Sequence, residues 1–587
     1  MSNKYSADKN VQILIALLKA HGIRKIVASP GATNIAFVGS CQNDPWFEMY
    51  SCVDERSAAF MACGLADESA EPVVICCTGA TASRNYLPAL TEAYYRKLPI
   101  LAVTFFVGFH GVGNLVPQVI DRSVWPKDTA KYKVELPHVK DDTDFKFAEL
   151  KMNTAILELR RNGGGPAHIN LERFQGDFSV KSLPVVRVMN RITRKDDFPI
   201  LPKNGAKIAV YICSHASWTD SETEALDLFC ERNNAVVFCD HSSGYKGKYR
   251  IMFALVAGQE HYHSPLCAPD LLIHIGELSG DYMTYGSLMS SKEVWRISPD
   301  GEVRDTFHKL RYIFDMDEQD FFEYYAENPV EGTVVKDEYL NACVEEHERL
   351  YKKIPEMPFS NDWIAKLVAP IIPESSFLHF GVSNTMRSWT FFDVPRSVIT
   401  KANVGTRGID GTLSTLLGSS LVSPDVLHFG VLGDLTFFFD MNSLGNRHVG
   451  KNLRILLVNN GRGTEFRLHM HQGQKLLGDS ADEFVAAAGH FGEKSPELVK
   501  SYVSALGFEY LSASNKEEFS SVIDRFLTPE LSDKPMLLEA FTDSEYESDA
   551  LRMLMNLELT SKAHTVQVAK NILGKNGIKF AKKLLGK

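Results

Sequence analysis

The chain has 587 residues, 44% of them hydrophobic and 23% charged, ordinary values for a globular protein that exclude a fibrous repeat and wholesale disorder. Its formal net charge of −10 leaves no basic footprint for nucleic acid. At roughly 150 residues per domain, the length fits about three to four domains.

The longest apolar runs, such as Pro99 to Val107, reach only about half of a membrane span, and the opening residues lack a signal peptide's basic start and apolar core. The expected location is cytoplasmic. All 10 cysteines precede residue 344 with no paired CxxC spacing for zinc, which suits free buried thiols in a reducing compartment.

From Val11 to about Leu171 the pattern alternates. The helix VQILIALLKAHG leads to the strand KIVAS and the turn PGATN, and then to the stretch SCVDERSAAFMACGLA over 51–66. There Ala58, Ala59, Ala62, Cys63 and Ala66 follow the i, i+3, i+4 spacing of a tightly packed helix face. Asp54 and Glu55 stand at its entrance. A first turn favours acids through the helix dipole, and the sharper expectation is that Glu55 meets a ligand there. The strand PVVICCT, the helix ASRNYLPALTEAYY and the strand PILAVTF complete βαβ units of a mostly parallel sheet. Ligands bind at the carboxyl ends of such strands, so SPGATN, CTGAT and TFFVGFHG mark one rim.

GGGP at 163–166 reads as a turn, and the proline-bearing stretch from Leu183 to Pro202 as a linker. A second α/β block follows (KIAVYIC, VVFCD, LLIHIG, EVWRIS), without an obvious catalytic cluster. From Asn361 a third takes over (SSFLHFG, SVITKAN, DVLHFGVLGD, LRILLVNN) and ends near Phe541. The fold class is therefore α/β: three doubly wound domains with mostly parallel sheets. After Glu558 come Lys562, Lys570, Lys575, Lys579, Lys582, Lys583 and Lys587 with no acids. That composition suits a solvated terminal helix or a weak membrane-surface or partner contact.

The strand VLHFGVLGD ends in Gly433-Asp434-Leu435-Thr436, and LRILLV ends in Asn459-Asn460-Gly461-Arg462-Gly463. A carboxylate and an amide at neighbouring strand ends form an oxygen site for a hard cation such as Mg²⁺. The amides of Gly433 to Thr436 and of the GRGT turn are placed to receive a diphosphate.

These segments resemble the thiamine diphosphate enzymes of the 2-oxo acid decarboxylase and acetolactate synthase type. Within them, the chain is most similar to the MenD-like SEPHCHC synthases of the menaquinone pathway, which add a 2-oxoglutarate-derived unit to isochorismate. The likeness follows domain order through SPG at 29–31, DERSAAF at 54–60, CTGATASRNYLPALTEA at 77–93, QVID at 118–121, RGIDGTLST at 407–415, GDLTFFFDMNSL at 433–444 and NNGRGTEF at 459–466. The resemblance implies a pyrimidine-binding domain over 1–180, a transhydrogenase-like middle domain over 205–345, a diphosphate-binding domain over 358–545 and a basic helical tail over 546–587. It implies thiamine diphosphate and Mg²⁺ as cofactors. Glu55 would hydrogen-bond N1′ of the aminopyrimidine and stabilise its imino tautomer, Ile409 would prop the cofactor into its bent shape, and Gln118 matches an active-site glutamine. Asp434, Asn460 and the carbonyl of Arg462 match metal ligands. Pro30, Thr78, Asn85, Thr406, Gly433, Leu435, Thr436, Gly463 and Thr464 fall at cofactor-binding positions. In this family the pyrimidine and diphosphate sites come from different subunits, so a homodimer or homotetramer is implied.

The likeness breaks at the substrate. Where the resembling enzymes clamp carboxylates with mostly cationic residues, this chain has Ala32 and Thr33, Asp281 and Tyr282, and Val404; the Arg expected after ILAVT is replaced within FFVGFHG, and Pro117 stands for an asparagine. Arg387 alone keeps its charge. Each lost charged hydrogen bond costs about 1.5–3 kcal/mol. Replacement groups are sought among His110, Arg407, Arg462, Arg467, His469 and His471, with His110, Arg387 and His469 as the substrate-contact candidates.

The expectation is an enzyme that decarboxylates a 2-oxo acid and transfers the acyl anion equivalent to an acceptor or releases an aldehyde. The alternatives are an authentic SEPHCHC synthase and a non-catalytic cofactor-binding scaffold, the latter disfavoured because Glu55, Asp434 and Asn460 are all intact. A nicotinamide or flavin enzyme is disfavoured because no GxGxxG follows the first strand.

Overall fold

The computed structural model describes residues 4–174, 176–203, 205–329 and 336–558, so the lysine-rich stretch after Glu558 lies outside the described residues. The chain divides into two compact units, one of the residues up to Lys195 with Gly301–Ile313, the other of Asp196–Asp300 with the residues from Phe314 onward.

In the first unit, parallel strands run in the order Glu48–Ser51, Lys25–Ala28, Val73–Cys76, Ile100–Phe106, Ala167–Glu172, Tyr132–Leu136. Val73–Cys76 is buried at every position, which is why its sequence is a continuous apolar run and not an alternation. The edge strands Glu48–Ser51 and Tyr132–Leu136 are only partly buried and carry no such run. Sequence reasoning therefore missed them. The helix expected over ASRNYLPALTEAYY is two helices, Ala80–Asn85 and Leu87–Arg96, divided at Tyr86. Pro88 has no N–H to continue the first helix and is accommodated in the first turn of the second.

The second unit holds two further sheets. In one, parallel strands run Arg250–Ile251, Ala235–Cys239, Ile208–Ile212, Leu271–Ile275, Glu293–Ser298. In the other they run Ile399–Ala402, Phe377–Phe380, His428–Gly433, Leu453–Asn459, Met536–Phe541, Glu509–Ala513. Counted in chain order, this last sheet has the same 2-1-3-4-6-5 winding as the sheet of the first unit. Three mostly parallel sheets with interleaved helices make this an α/β fold. All 10 cysteines are free, and only Cys52 is not fully buried. Among the described residues, no helix is long and apolar enough to cross a membrane.

The C-terminal helix Ser544–Met555 is fastened through a buried carboxyl. Glu547 accepts from the Asn361 N–H, at 3.1 and 3.0 Å to its two oxygens, and from Thr542 Oγ1 at 2.6 Å. Burial, with the nearby Asp362 adding to it, pushes this carboxyl up from 4.5 to about 8. The folded chain therefore keeps a proton that the unfolded chain has released, so stability falls as pH rises between those two values. Glu547→Gln should flatten the loss of melting temperature from about pH 5 to about pH 8. Thermal melts that fall in parallel for both proteins would contradict the buried, protonated carboxyl.

Candidate active site in two halves

The first half lies where the strand order reverses. The chain leaves Lys25–Ala28 for one neighbour and returns on the other side as Val73–Cys76, which opens a crevice at the carboxyl ends of those strands. SPG and CTGAT approach closely there. A Cβ on Gly31 would stand 2.6 Å from Thr78 Cβ, so only glycine permits the approach, and the Thr33 and Thr78 hydroxyls hydrogen-bond each other. Glu55 is the first residue of the helix Glu55–Ser69, whose buried face is Ala58, Ala59, Ala62, Cys63 and Ala66, as the spacing predicts. Asp54 caps that helix by accepting the Ser57 N–H at 2.8 Å. With the capping done by Asp54, the half-buried Glu55 side chain is left for the cavity of about 550 Å³ that it lines with Thr33, Thr78, Phe105, Gln118 and Arg122.

Gln118 is held at φ +62° immediately after Pro117. His110 is exposed on the turn Phe109–Gly111, Pro30 is exposed after the first strand, and Asn85 is exposed at the end of its helix. Arg122 was not anticipated. It is 5% exposed and donates to the Phe105 carbonyl at 2.8 Å and to Thr104 Oγ1 at 3.2 Å. The QVID motif ends one residue short of it, so the motif did not reach the one buried cation lining this cavity.

The second half is built on the last sheet. Gly433 stands opposite Val458 in register, so the chain leaves both strands at the same level, with Asp434 on one side and Asn459-Asn460 on the other. Asp434 Oδ2 accepts the Gly461 N–H at 2.6 Å and Oδ1 accepts the Leu435 N–H at 2.8 Å. Burial raises this carboxyl from 3.8 to about 6 even though backbone N–H groups of Leu435, Gly461 and Arg462 pull it down. The two asparagines divide their labour. Asn459 donates to Glu539 Oε1 at 2.7 Å, a scaffold role, whereas Asn460 Oδ1 is buried without a hydrogen-bond partner.

These residues fit a divalent cation. It would neutralise a carboxylate that burial disfavours and take up an orphaned amide oxygen. Among the described residues no cluster of three His, Cys, Asp or Glu side chains competes for the role. The Arg462 carbonyl accepts the Thr464 N–H at 2.9 Å and keeps its second lone pair. Of the amides expected to meet a diphosphate, those of Leu435, Gly461, Gly463 and Thr464 are already used within the chain, that of Gly463 on the Ala486 carbonyl at 2.6 Å. Thr464 Oγ1 is buried and unpartnered, and Thr436 is buried beside Asp434 on the same helix. Gly463 lets the turn close on Leu435, whose Cδ1 would lie 3.3 Å from an added Cβ. Ile409 is half-buried and Thr406 exposed on the segment before the helix Thr412–Val422.

The cations proposed to rebuild a carboxylate clamp are mostly engaged. Arg462 pairs with Asp482 at 2.7 Å, and Arg467 with Asp479 at 2.7 Å. His469 hydrogen-bonds Glu260 at 2.8 Å, and His471 caps the helix Gln472–Leu477. Asp281 caps the helix Tyr282–Leu288 by accepting from Met283 and Thr284 at 2.8 and 3.0 Å. Arg387 bonds Glu465 at 2.5 Å, a pairing that sequence reasoning missed although the carboxylate stands in the quoted NNGRGTEF. With its cation removed by EDTA, the protein should lose measurable calorimetric binding of thiamine diphosphate, and Asn460→Ala should weaken it in the presence of Mg²⁺. Undiminished affinity without metal would contradict the assignment of Asp434 and Asn460.

Residues 9–124 match the family model described as thiamine pyrophosphate enzyme, N-terminal TPP binding domain. The 2-succinyl-5-enolpyruvyl-6-hydroxy-3-cyclohexene-1-carboxylate synthase of Bacteroides thetaiotaomicron is 32% identical over 571 residues, covering 93% of this chain and 98% of the relative. The synthases of the same name from Bacteroides fragilis and Phocaeicola vulgatus are each 31% identical, with the same coverage of 93% and 98%. Enzymes of this kind use thiamine diphosphate with a divalent metal, usually Mg²⁺, to decarboxylate a 2-oxo acid and form a carbon–carbon bond. By its sequence over nearly its whole length and by its fold, the chain belongs to this family of thiamine diphosphate-dependent enzymes.

Proposed function

We propose that this enzyme decarboxylates a 2-oxo acid and transfers the acyl unit to an acceptor other than isochorismate, or releases it as an aldehyde. In this reading the pyrimidine-binding domain is 1–180, the middle domain 205–345 and the diphosphate-binding domain 358–545. The active unit is a homo-oligomer in which the pyrimidine site of one copy works with the diphosphate site of another. Phe60 and Met61 on the helix that starts at Glu55 are 45% and 39% exposed, which supports a covering subunit there.

The cofactor, when bound, supplies the thiazolium carbon that adds to the 2-oxo group. Glu55 holds a proton at N1′ of the pyrimidine, and its half-buried setting strengthens that shared hydrogen bond. Asp434, Asn460 and the Arg462 carbonyl would hold the cation, Thr436 and Thr464 would offer hydroxyls to the diphosphate, and Ile409 would support the ring. Pro30, Thr78, Asn85, Thr406, Gly433, Leu435 and Gly463 shape the walls. Gln118 faces the acceptor, with His110 as a further substrate contact; His469, the other candidate, is held by Glu260.

One observation carries the changed acceptor. Ala32, Thr33, Tyr282 and Val404 are uncharged, Asp281 is spent on a helix cap, and Arg462, Arg467, His469 and His471 are engaged within the chain. Forfeiting several charged contacts at about 1.5–3 kcal/mol each removes useful affinity for a polycarboxylate acceptor. The second reading, an authentic synthase with a rebuilt clamp, draws on the 32% identity across 98% of a relative. Incubation with 2-oxoglutarate and isochorismate, followed by mass spectrometry, separates the two. Little or no SEPHCHC product is expected, and turnover matching that of the relatives would put the second reading first.

A further inference from the structure

The reacting end of the second half carries a charge cluster that the cofactor roles do not use. Glu465 stands in the turn Thr464–Arg467, which directly follows the segment bearing Asn460. Arg407, held at φ +54°, precedes Ile409 by two residues. Between these segments lies the ring of Tyr282. The Arg407 guanidinium sits 4.2 Å from the ring centroid and that of Arg387 sits 5.9 Å from it, within cation–π range. Arg407 also donates to the Ser279 carbonyl. Arg387, 7% exposed, donates through Nη2 to Glu465 Oε1 at 2.5 Å, and its Nη1 has no partner.

This contact decides what Arg387 can offer a substrate. A short charge-assisted hydrogen bond in a desolvated setting is among the stronger polar contacts. A substrate carboxylate placed on Nη1 would share the single guanidinium charge with Glu465, 23% exposed, so two carboxylates would stand against one cation and be only partly compensated. At Arg387 a donor therefore meets a neutralised pair, with the free Nη1 suited to an uncharged oxygen such as a hydroxyl or carbonyl, while Arg407 is turned to the Ser279 carbonyl and the Tyr282 ring.

We propose that Glu465 is a specificity-determining residue: by holding Arg387 it restricts the donor to 2-oxo acids with an uncharged side chain and disfavours those with a second carboxylate. This rests on the decarboxylase reading above, in which the donor reacts at the cofactor ring that Ile409 supports. Glu465 acts on the donor through Arg387, and removing its charge releases the guanidinium.

The test uses the holoenzyme with thiamine diphosphate and Mg²⁺, titrated with acetylphosphonate and succinylphosphonate, which mimic pyruvate and 2-oxoglutarate without losing CO₂. The parent should bind the acetyl analogue tighter by at least about tenfold, and Glu465→Gln should move that ratio toward the succinyl analogue by about tenfold or more. Adding Arg387→Gln to that variant should cancel the shift. A parent that binds succinylphosphonate as tightly as acetylphosphonate would overturn the proposal, whether or not the variant folds. So would an unchanged ratio in a Glu465→Gln protein that still binds cofactor. CO₂ release from the corresponding 2-oxo acids is read separately. The predicted analogue preference with no CO₂ from any of them would overturn the decarboxylase reading while supporting the role of Glu465.

Discussion

The second half of the site depends on one buried carboxylate. Asp434 leaves its strand at the level where Leu453–Asn459 also ends, and it accepts the Gly461 N–H across that gap at 2.6 Å. This contact ties the loop after the neighbouring strand to Asp434, and with Asn459 held by Glu539 it leaves Asn460 with an oxygen that nothing among the described residues satisfies. A carboxylate raised by burial and an orphaned amide oxygen both cost free energy in the folded chain. A bound cation would offset both costs.

The first half solves a different problem with the same winding. Both sheets reverse their strand order at the same place in the sequence of strands, and the topology alone creates a crevice in each. What occupies the crevices differs. At Gly31 and Thr78 the backbone closes tightly and the polar group is a carboxylate at a helix start, with small alanines behind it. At Asp434 and Asn460 the donors are oxygens suited to a hard ion. The same winding thus places a helix-start carboxylate at one crevice and a set of oxygen ligands at the other.

Much of this was legible in the sequence because it rests on local rules. The alanine spacing after Glu55 named the buried helix face residue by residue, and the GD and NN strand ends marked where Asp434 and Asn460 come together. The unread parts depend on contacts between distant segments. Nothing local separates Asn459 from Asn460; the distinction comes from Glu539, some eighty residues on. The edge strands Glu48–Ser51 and Tyr132–Leu136 lack an apolar run because only part of each is buried. The clamp candidates looked free in sequence, and their partners Asp482, Asp479, Glu260 and Glu465 become visible only in the fold.

In the proposed reading, Glu55 controls a proton on the cofactor. Hydrogen–deuterium exchange at C2 of the bound thiamine diphosphate measures that control without reference to any substrate. Exchange should be rapid in the parent with Mg²⁺ and slower by orders of magnitude in Glu55→Gln, with cofactor affinity kept within about tenfold. Equal exchange rates in the two proteins, both with cofactor bound, would contradict it.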